Sequence, residues 1–388
     1  MPKTTKKTNK YAIDSDFVRD LERDITAFIK GGVDQPGTDE RFNELALRLF
    51  EYQYNENTPY RKYCQKRGVA PGDIRSWTEI LAVPTDAFKE VDLCTFPPEQ
   101  AVRILESSGT RDQTRRSKVH MDEMGVRLLD LSYLESIEGF FYPSGEKNLH
   151  ALLLAPPMDK LPATATATYG IGKVIEGHHI GEPEYFVGPE GLDFQGLAAR
   201  LKQAEEDGEP VIIVGTTFAY VHFFDYCREK GISFNLPSGS RFIDGAGYKG
   251  KSRELTREEF VKLAQEVTGV PPEYMLNNYG MTEVQAVFPD NVLRNLVKGL
   301  KEPRYKANPA WTRTLVVDPD TLEPLPKGET GLLRHYSLGN INTVQAVQTD
   351  DLGYAIGRGF ECVGRAAGSE SRGCSVAYDE LISAQKMK

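Results

Sequence analysis

A chain of 388 residues with a formal net charge of −9 has room for two or three domains or one large layered α/β unit, and its acidic balance argues against a nucleic-acid binder, which would carry a basic field. The longest apolar run, about Ala151 to Ala155, falls far short of the roughly 20 residues that a membrane helix requires. Five scattered cysteines, Cys64, Cys94, Cys227, Cys362 and Cys374, suit a reducing cytoplasm; without C-x-x-C spacing they speak against a disulfide framework and a structural zinc site.

In chain order, residues 1–10 are basic but lack an apolar signal core, and read as a solvated tail. "FVRDLERDITAFIK" places Phe17, Leu21, Ile25, Phe28 and Ile29 on one helical face, with Gly31 and Gly32 as a stop, and "DERFNELALRLFEYQY" continues in the same style. "HALLLA" and "PVIIVG" have the length and composition of buried strands, and the second leads into a helix-like "TFAYVHFFDYCREKG". Phe218, Tyr220, Phe223 and Phe224 on that segment suit either an aromatic pocket wall or a helix packed on the sheet. "TREEFVKLAQEVTG" is a further helix, with Thr256 and Glu259 as a capping box and Gly269 at its end. It leads into "EYMLNNYGMTE", expected where a short strand gives out into a loop, the place where open α/β sheets bind ligands. Beyond Pro309 two strand-like runs joined by turn residues predict a small β subdomain, and from Gly364 there is chain for a strand and a turn of helix.

Several segments carry side chains suited to a nucleotide. "ESSGTRDQTRRSK", Glu106 to Lys118, combines hydroxyls, a glycine and cations that can hold a polyphosphate, although the G-x-x-x-x-G-K-[ST] spacing is absent. "RFIDGAGYKG" sets glycines around Ala246, which lets backbone approach a flat ligand. "QTDDLGY" puts Asp350 and Asp351 after a polar strand end, where they suit either carboxylates accepting from ribose hydroxyls or a solvated turn. "FECVGRAAGSESRGC" sets Arg365 and Arg372 near Cys374; a cation beside a thiol favours the thiolate, although a lone cysteine is more often a packing residue than a nucleophile. His178 and His179 are adjacent, have no carboxylate cluster at ligand spacing, and read as loop or pocket-wall residues; His120 and His222 are open to an acyl site.

Taken together and in order from about Ser107 to Cys374, "SSGT", "DGAG", "YGMTE", "TDDLG" and the "GR" of Gly364 and Arg365 resemble the motifs of the adenylate-forming superfamily. Within it, the length and the ending "GRAAGSESRGCS" resemble the LuxE-type acyl-protein synthetases of the bacterial fatty-acid reductase complex. The resemblance implies an α/β fold: a large adenylate-forming N-terminal domain of layered α/β sheets over residues 11–363, with a small β subdomain at about 309–363. Residues 364–388 would be a truncated C-terminal segment after the hinge, without the mobile domain and catalytic lysine of full-length relatives.

The same resemblance implies ATP and Mg²⁺. Ser107, Ser108, Gly109 and Thr110 would wrap the β and γ phosphates, and Gly245, Ala246 and Gly247 would contact adenine, on which Tyr279 stacks beside Gly280 and Met281. Thr282 would contact the α-phosphate, Glu283 would hold Mg²⁺, and Asp351 and Arg365 would bind the ribose. Cys374 occupies the place of the family's acyl-carrying cysteine, and a mobile segment would suit its task. The family loop usually continues T-G-x-P-K, whereas "RDQTRR" follows here, which offers Arg115 or Arg116 as the substitute cation.

The function expected is ATP-dependent activation of a carboxylic acid, a fatty acid first, as an acyl adenylate, then transfer to Cys374 or a partner protein such as a reductase. Two alternatives stay open. One is an adenylating enzyme for an aromatic or other small acid that passes the acyl group to CoA, a carrier protein or a reductase without Cys374. The other is a non-catalytic adenylate-binding protein.

Overall fold

The computed structural model describes residues 9–108, 115–176, 178–248, 250–366 and 372–386. The chain divides into two compact units. The first comprises Met1–Glu135, Met281–Ala286 and Asn308–Lys388, and the second Ser136–Gly280 and Val287–Ala307.

The second unit is an open, mainly parallel sheet. Its strands run in the order Glu184–Tyr185, His150–Leu154, Val211–Thr216, Arg241–Gly245, Met275–Met281 and Ala286–Pro289, the first five parallel to their neighbours. "HALLLA" and "PVIIVG" are adjacent strands, apolar throughout as a sheet covered on both faces demands. The connections are the helices Phe194–Asp207, Thr217–Lys230 and Arg257–Thr268. The last is capped as its sequence predicts: Thr256 accepts from the Glu259 amide, Glu259 accepts from the Thr256 amide, and Gly269 closes the end at φ 72°.

On the helix Thr217–Lys230, Tyr220, Phe223 and Phe224 are buried and pack with Phe242 and Phe260 in the core of this unit. The packed-helix reading therefore holds for these three, and Phe218 is half-buried against the same core. Burial of each such ring stabilises by about 1.5–3 kcal/mol, reason enough for their presence.

The first unit joins the N-terminal helices to an antiparallel sheet. Asp16–Lys30 buries Val18, Leu21, Ile25, Phe28 and Ile29, and Asp39–Glu56 buries Phe42, Leu45, Leu49 and Phe50. The strands Gly359–Arg365, Ala346–Ile356, Thr330–Ser337 and Thr312–Val317 are neighbours in that order, and the short Val83–Pro84 adds in parallel beside Val347 and Gln348. Where Ala346–Ile356 shifts register at Gly353, a side chain would meet the Glu361 carbonyl oxygen at 2.2 Å, so only glycine fits there. The chain ends in a 14-residue helix, Arg372–Gln385, longer than the single turn expected. It packs on the helix Thr58–Lys66 through Lys62 to the Gln385 carbonyl at 3.3 Å and Gln385 to the Pro59 carbonyl at 3.1 Å.

Candidate active site

In the first unit, the strands Arg103–Glu106 and Lys118–Met121 pair and carry the cationic loop at their ends. Two hydrogen bonds close the neck of that loop: the Ser107 amide donates to the Ser117 carbonyl and the Ser117 amide to Ser107 Oγ, each at 3.1 Å. Ser108 is exposed beside it, while Gly109 and Thr110 lie outside the described residues. Arg115 pairs with Glu90, and Arg116 stands 3.9 Å from Glu106. The proposed substitute cations thus already face carboxylates.

Thr282 and Glu283 follow the strand Met275–Met281, 3% and 7% exposed respectively. The "NNYGM" stretch is itself in the strand, a correction to the expected loop, and the chain turns only after Met281. Burial raises the Glu283 carboxyl above the usual range; Ser117, Lys89 and Arg365 oppose this without cancelling it. Lys89, at the end of the short 3₁₀ helix Thr85–Lys89, is half-buried and also holds Asp86 at 2.6 Å.

Asp351 and Arg365 are cross-strand partners, with Arg365 Nε 2.8 Å from Asp351 Oδ1. They lie inside paired strands, not beyond a strand end. Beneath them His335 is buried and its pKa falls to about 3, because burial outweighs the field of Asp351, so it stays neutral and bonds to the Thr314 hydroxyl at 3.0 Å.

Cys374 is 5% exposed, packed with Val317, Leu332 and Ala366. Burial, aided by Asp350, pushes its thiol up to about 12. The packed reading of a lone cysteine is the one found, since loss of solvent outweighs nearby cations; a Cys374 on a mobile segment is not. The helix can approach so closely because residue 373 is glycine, with its amide bonded to the Pro319 carbonyl at 2.8 Å.

In the second unit, the strand Arg241–Gly245 ends in a turn with Ala246 at φ 61° and Gly247 at φ 63°, both exposed. Two successive left-handed residues at a strand end leave backbone amides accessible. Tyr279 is half-buried, its ring 5.9 Å from Phe288, and Gly280 is exposed. Asp244 ties these elements together. It accepts from Thr217 Oγ1 at 2.9 Å, Asn277 Nδ2 at 2.8 Å and Arg257 Nη1 at 2.7 Å.

Asp290 accepts from the Asn277 amide at 2.9 Å and from Arg304 and Lys306. Burial alone would raise its pKa, but Lys306, Arg304 and Arg257 bring it down to about 2. Lys89, Ser117, Asp244 and Asp290 were not singled out by the sequence reading. Ser117 and Asp244 lie within quoted motifs but act through their own partners, while Asp290 is tied to Asn277, Arg304 and Lys306 by contacts that no local spacing marks.

His120 is buried near Asp92, 3.9 Å away, and His222 bonds to the Lys251 carbonyl at 2.8 Å. His178 stacks on Tyr142 with 3.6 Å between ring centres and stands 3.1 Å from Glu138. Among the described residues no three His, Cys, Asp or Glu side chains stand together as a metal site, and no helix is long and apolar enough to cross a membrane.

The chain is 24% identical over 378 residues, 93% of its length and 94% of the relative's, to a long-chain-fatty-acid–luciferin-component ligase of Vibrio harveyi. It is 23% identical over 353 residues, 88% of each chain, to one of Aliivibrio fischeri. The fold is similar to that of a 2-hydroxyisobutyryl-CoA ligase solved with 2-HIB-AMP and CoA, with a TM-score of 0.57, 13% identity and coverage of 83% of this chain and 74% of that one. A postadenylation-state structure of the same ligase gives a TM-score of 0.59 at 14% identity, covering 86% and 69%. These are adenylate-forming folds, and neither the small-acid alternative nor the non-catalytic one is favoured. The sequence model described as acyl-protein synthetase, LuxE, matches residues 34–383, and the chain belongs to that family of acid ligases.

Proposed function

We propose that this acid ligase takes a long-chain fatty acid, activates it with ATP and Mg²⁺, and carries the acyl group on Cys374 toward a protein acceptor such as a reductase. In the first step a carboxylate oxygen attacks the α-phosphorus, forming the acyl adenylate as the bond to pyrophosphate breaks. In the second, the Cys374 sulfur attacks the acyl carbon, AMP leaves with the carbonyl-linked oxygen, and the departing phosphate takes the thiol proton. The substrate carboxylate is ionised at neutral pH, so no general base is needed for the first step.

The residues act by placement and charge. Tyr279 stacks on adenine beside Gly280 and Met281, and the turn Gly245–Ala246–Gly247 offers backbone to the base. Asp351, held by Arg365 at 2.8 Å, accepts from the ribose with Arg365 beside it. Ser107, Ser108 and the adjoining Gly109 and Thr110 take the outer phosphates, and Thr282 takes the α-phosphate. Glu283 is the one protein carboxylate assigned to Mg²⁺, which suits an ion that draws its other ligands from phosphates and water. When bound, Mg²⁺ neutralises phosphate charge. Glu283 is 7% exposed, directly after Thr282 at the end of the strand Met275–Met281, and a carboxylate so buried gains from such a cation, which is the observation that carries the reading within the family match.

Intact-protein mass spectrometry after incubation with Mg-ATP and a panel of fatty and aromatic acids tests the proposal. A mass gain matching one fatty acid, removed by hydroxylamine and absent in Cys374→Ser, is expected. Pyrophosphate release with no gain on the native protein would show that the acyl group bypasses Cys374.

A further inference from the structure

Glu283 stands two residues before Gln285, which has φ 51°. A side-chain-bearing residue in the left-handed region persists only where its surroundings hold it. Two side chains do so. Gln285 Nε2 donates to Thr343 Oγ1 at 3.0 Å. Asn340 Nδ2 donates to the Glu283 carbonyl at 2.9 Å and to the Val344 carbonyl at 3.0 Å. Because both partners of Asn340 are carbonyl oxygens, its amide has one workable orientation, with the nitrogen toward Glu283.

Behind Asn340 the contacts continue through buried amides. Gln53 Nε2 donates to the Asn340 carbonyl at 2.6 Å, and Gln53 Oε1 accepts from the Gln345 amide at 3.0 Å. Gln345 Nε2 donates to the Ala46 carbonyl at 2.8 Å, and Asn57 Nδ2 to the Thr343 carbonyl at 3.1 Å. Gln53, Asn57 and Asn340 are 0% exposed, and Gln345 is 1% exposed. Apolar side chains would fill this space without the cost of burying amides. What the amides provide is direction: they tie the helix Asp39–Glu56 to the backbone of one particular residue, Glu283.

We infer that Asn340 is a positioning residue for Glu283, and that Asn340, backed by Gln53 and assisted by the Gln285–Thr343 bond, fixes the direction in which the Glu283 carboxylate faces Mg²⁺. This rests on the reading of Glu283 as the Mg²⁺-facing carboxylate. The hydrogen bonds act on the backbone of residue 283, so they orient the carboxylate without consuming its oxygens. Asn340 and Gln285 have no assigned contact with nucleotide or metal.

The test is calorimetric titration of α,β-methylene-ATP with Mg²⁺ and with EDTA, on the full chain and on Glu283→Gln, Asn340→Leu and Gln285→Gly, each checked by thermal unfolding. Native protein and Asn340→Leu are expected to bind the analogue alike in EDTA. The tightening caused by Mg²⁺ is expected to shrink by about 10- to 100-fold in Asn340→Leu, the usual effect of removing a partner that orients a metal ligand. Gln285→Gly relieves the left-handed strain while removing the Thr343 bond, so it keeps the test open should Asn340→Leu fail to fold, and the same direction is expected. Loss of the Mg²⁺ effect in Glu283→Gln, with the effect intact in the folded positioning variants, overturns the inference and leaves the reading of Glu283 standing. An unchanged Mg²⁺ effect in Glu283→Gln overturns both.

Discussion

Cys374 Sγ lies 3.6 Å from the carbonyl oxygen of Thr349, two residues before Asp351 on the same strand. The sulfur assigned to receive the acyl group is thus held against the strand assigned to hold the ribose. In this arrangement it is shielded from solvent.

Iodoacetamide at pH 8 should therefore label the half-buried Cys362 well before Cys374, whose thiol is pushed up to about 12. Gly373→Ala should reverse much of that protection. A methyl there meets a Leu322 side-chain carbon at 2.6 Å and the Pro319 carbonyl at 2.9 Å. Overpacking costs about 1–3 kcal/mol, which shifts the undocked fraction by about 5- to 160-fold. Peptide mapping by mass spectrometry reads both rates, and equal labelling of the two cysteines in the native chain would contradict the packing described.

Glu283→Gln should lose activity and gain stability together. The folded carboxyl titrates above its unfolded value, so the native state binds more protons. Stability from this group is fully present below the unfolded value and is lost as pH rises through the raised one. At pH 7 the native chain carries that penalty and the glutamine variant does not, so its unfolding midpoint rises. Pyrophosphate release should fall by at least about 10- to 100-fold, as for loss of metal-site support. A variant less stable than the native chain at pH 7 would refute the sign.

Asp290→Ala should be among the most destabilising single changes in the second unit. It leaves Lys306, Arg304 and Arg257 without their shared carboxylate, and removing one partner from a buried ion pair costs about 3–5 kcal/mol. Since the native carboxyl is held down at about 2 against an ordinary 3.8, its contribution is complete above 3.8 and disappears as pH falls toward 2. Urea midpoints of the two proteins should converge over that window.

Tyr279→Ala should raise the KM for ATP by about 1–3 kcal/mol of lost stacking, while Tyr279→Phe should stay close to native. Initial-rate kinetics at saturating acid separate the two. A hydroxyl-dependent effect in the phenylalanine variant would move Tyr279 from stacking to hydrogen bonding.

What could be read from the sequence divides along a physical line. The helix face of Leu21, Ile25 and Phe28, the Thr256–Glu259 capping box and the apolar strands depend on neighbours within a few positions, and periodicity carries them. Asp350 and Asp351 are adjacent in the sequence, yet strand alternation separates them: Asp351 meets Arg365, while Asp350 acts on Cys374. Burial of Cys374 could not be inferred from the arginines beside it, because it depends on Val317 and Leu332, which come from strands earlier in the chain. Lys89 and Asn340 carry no local signature, since their importance comes from where residue 283 is brought by folding.

Gln53 and Asn340 are 287 positions apart in the chain. At an ordinary synthesis rate the ribosome needs on the order of tens of seconds to make that stretch. Throughout that interval Gln53 and the Ala46 carbonyl lack the partners they have in the finished fold, because Asn340 and Gln345 have not yet been translated. The helix Asp39–Glu56 can pack at once on the helices beside it, but its Gln53 amide stays in water until Asn340, the residue that will meet Glu283, is made.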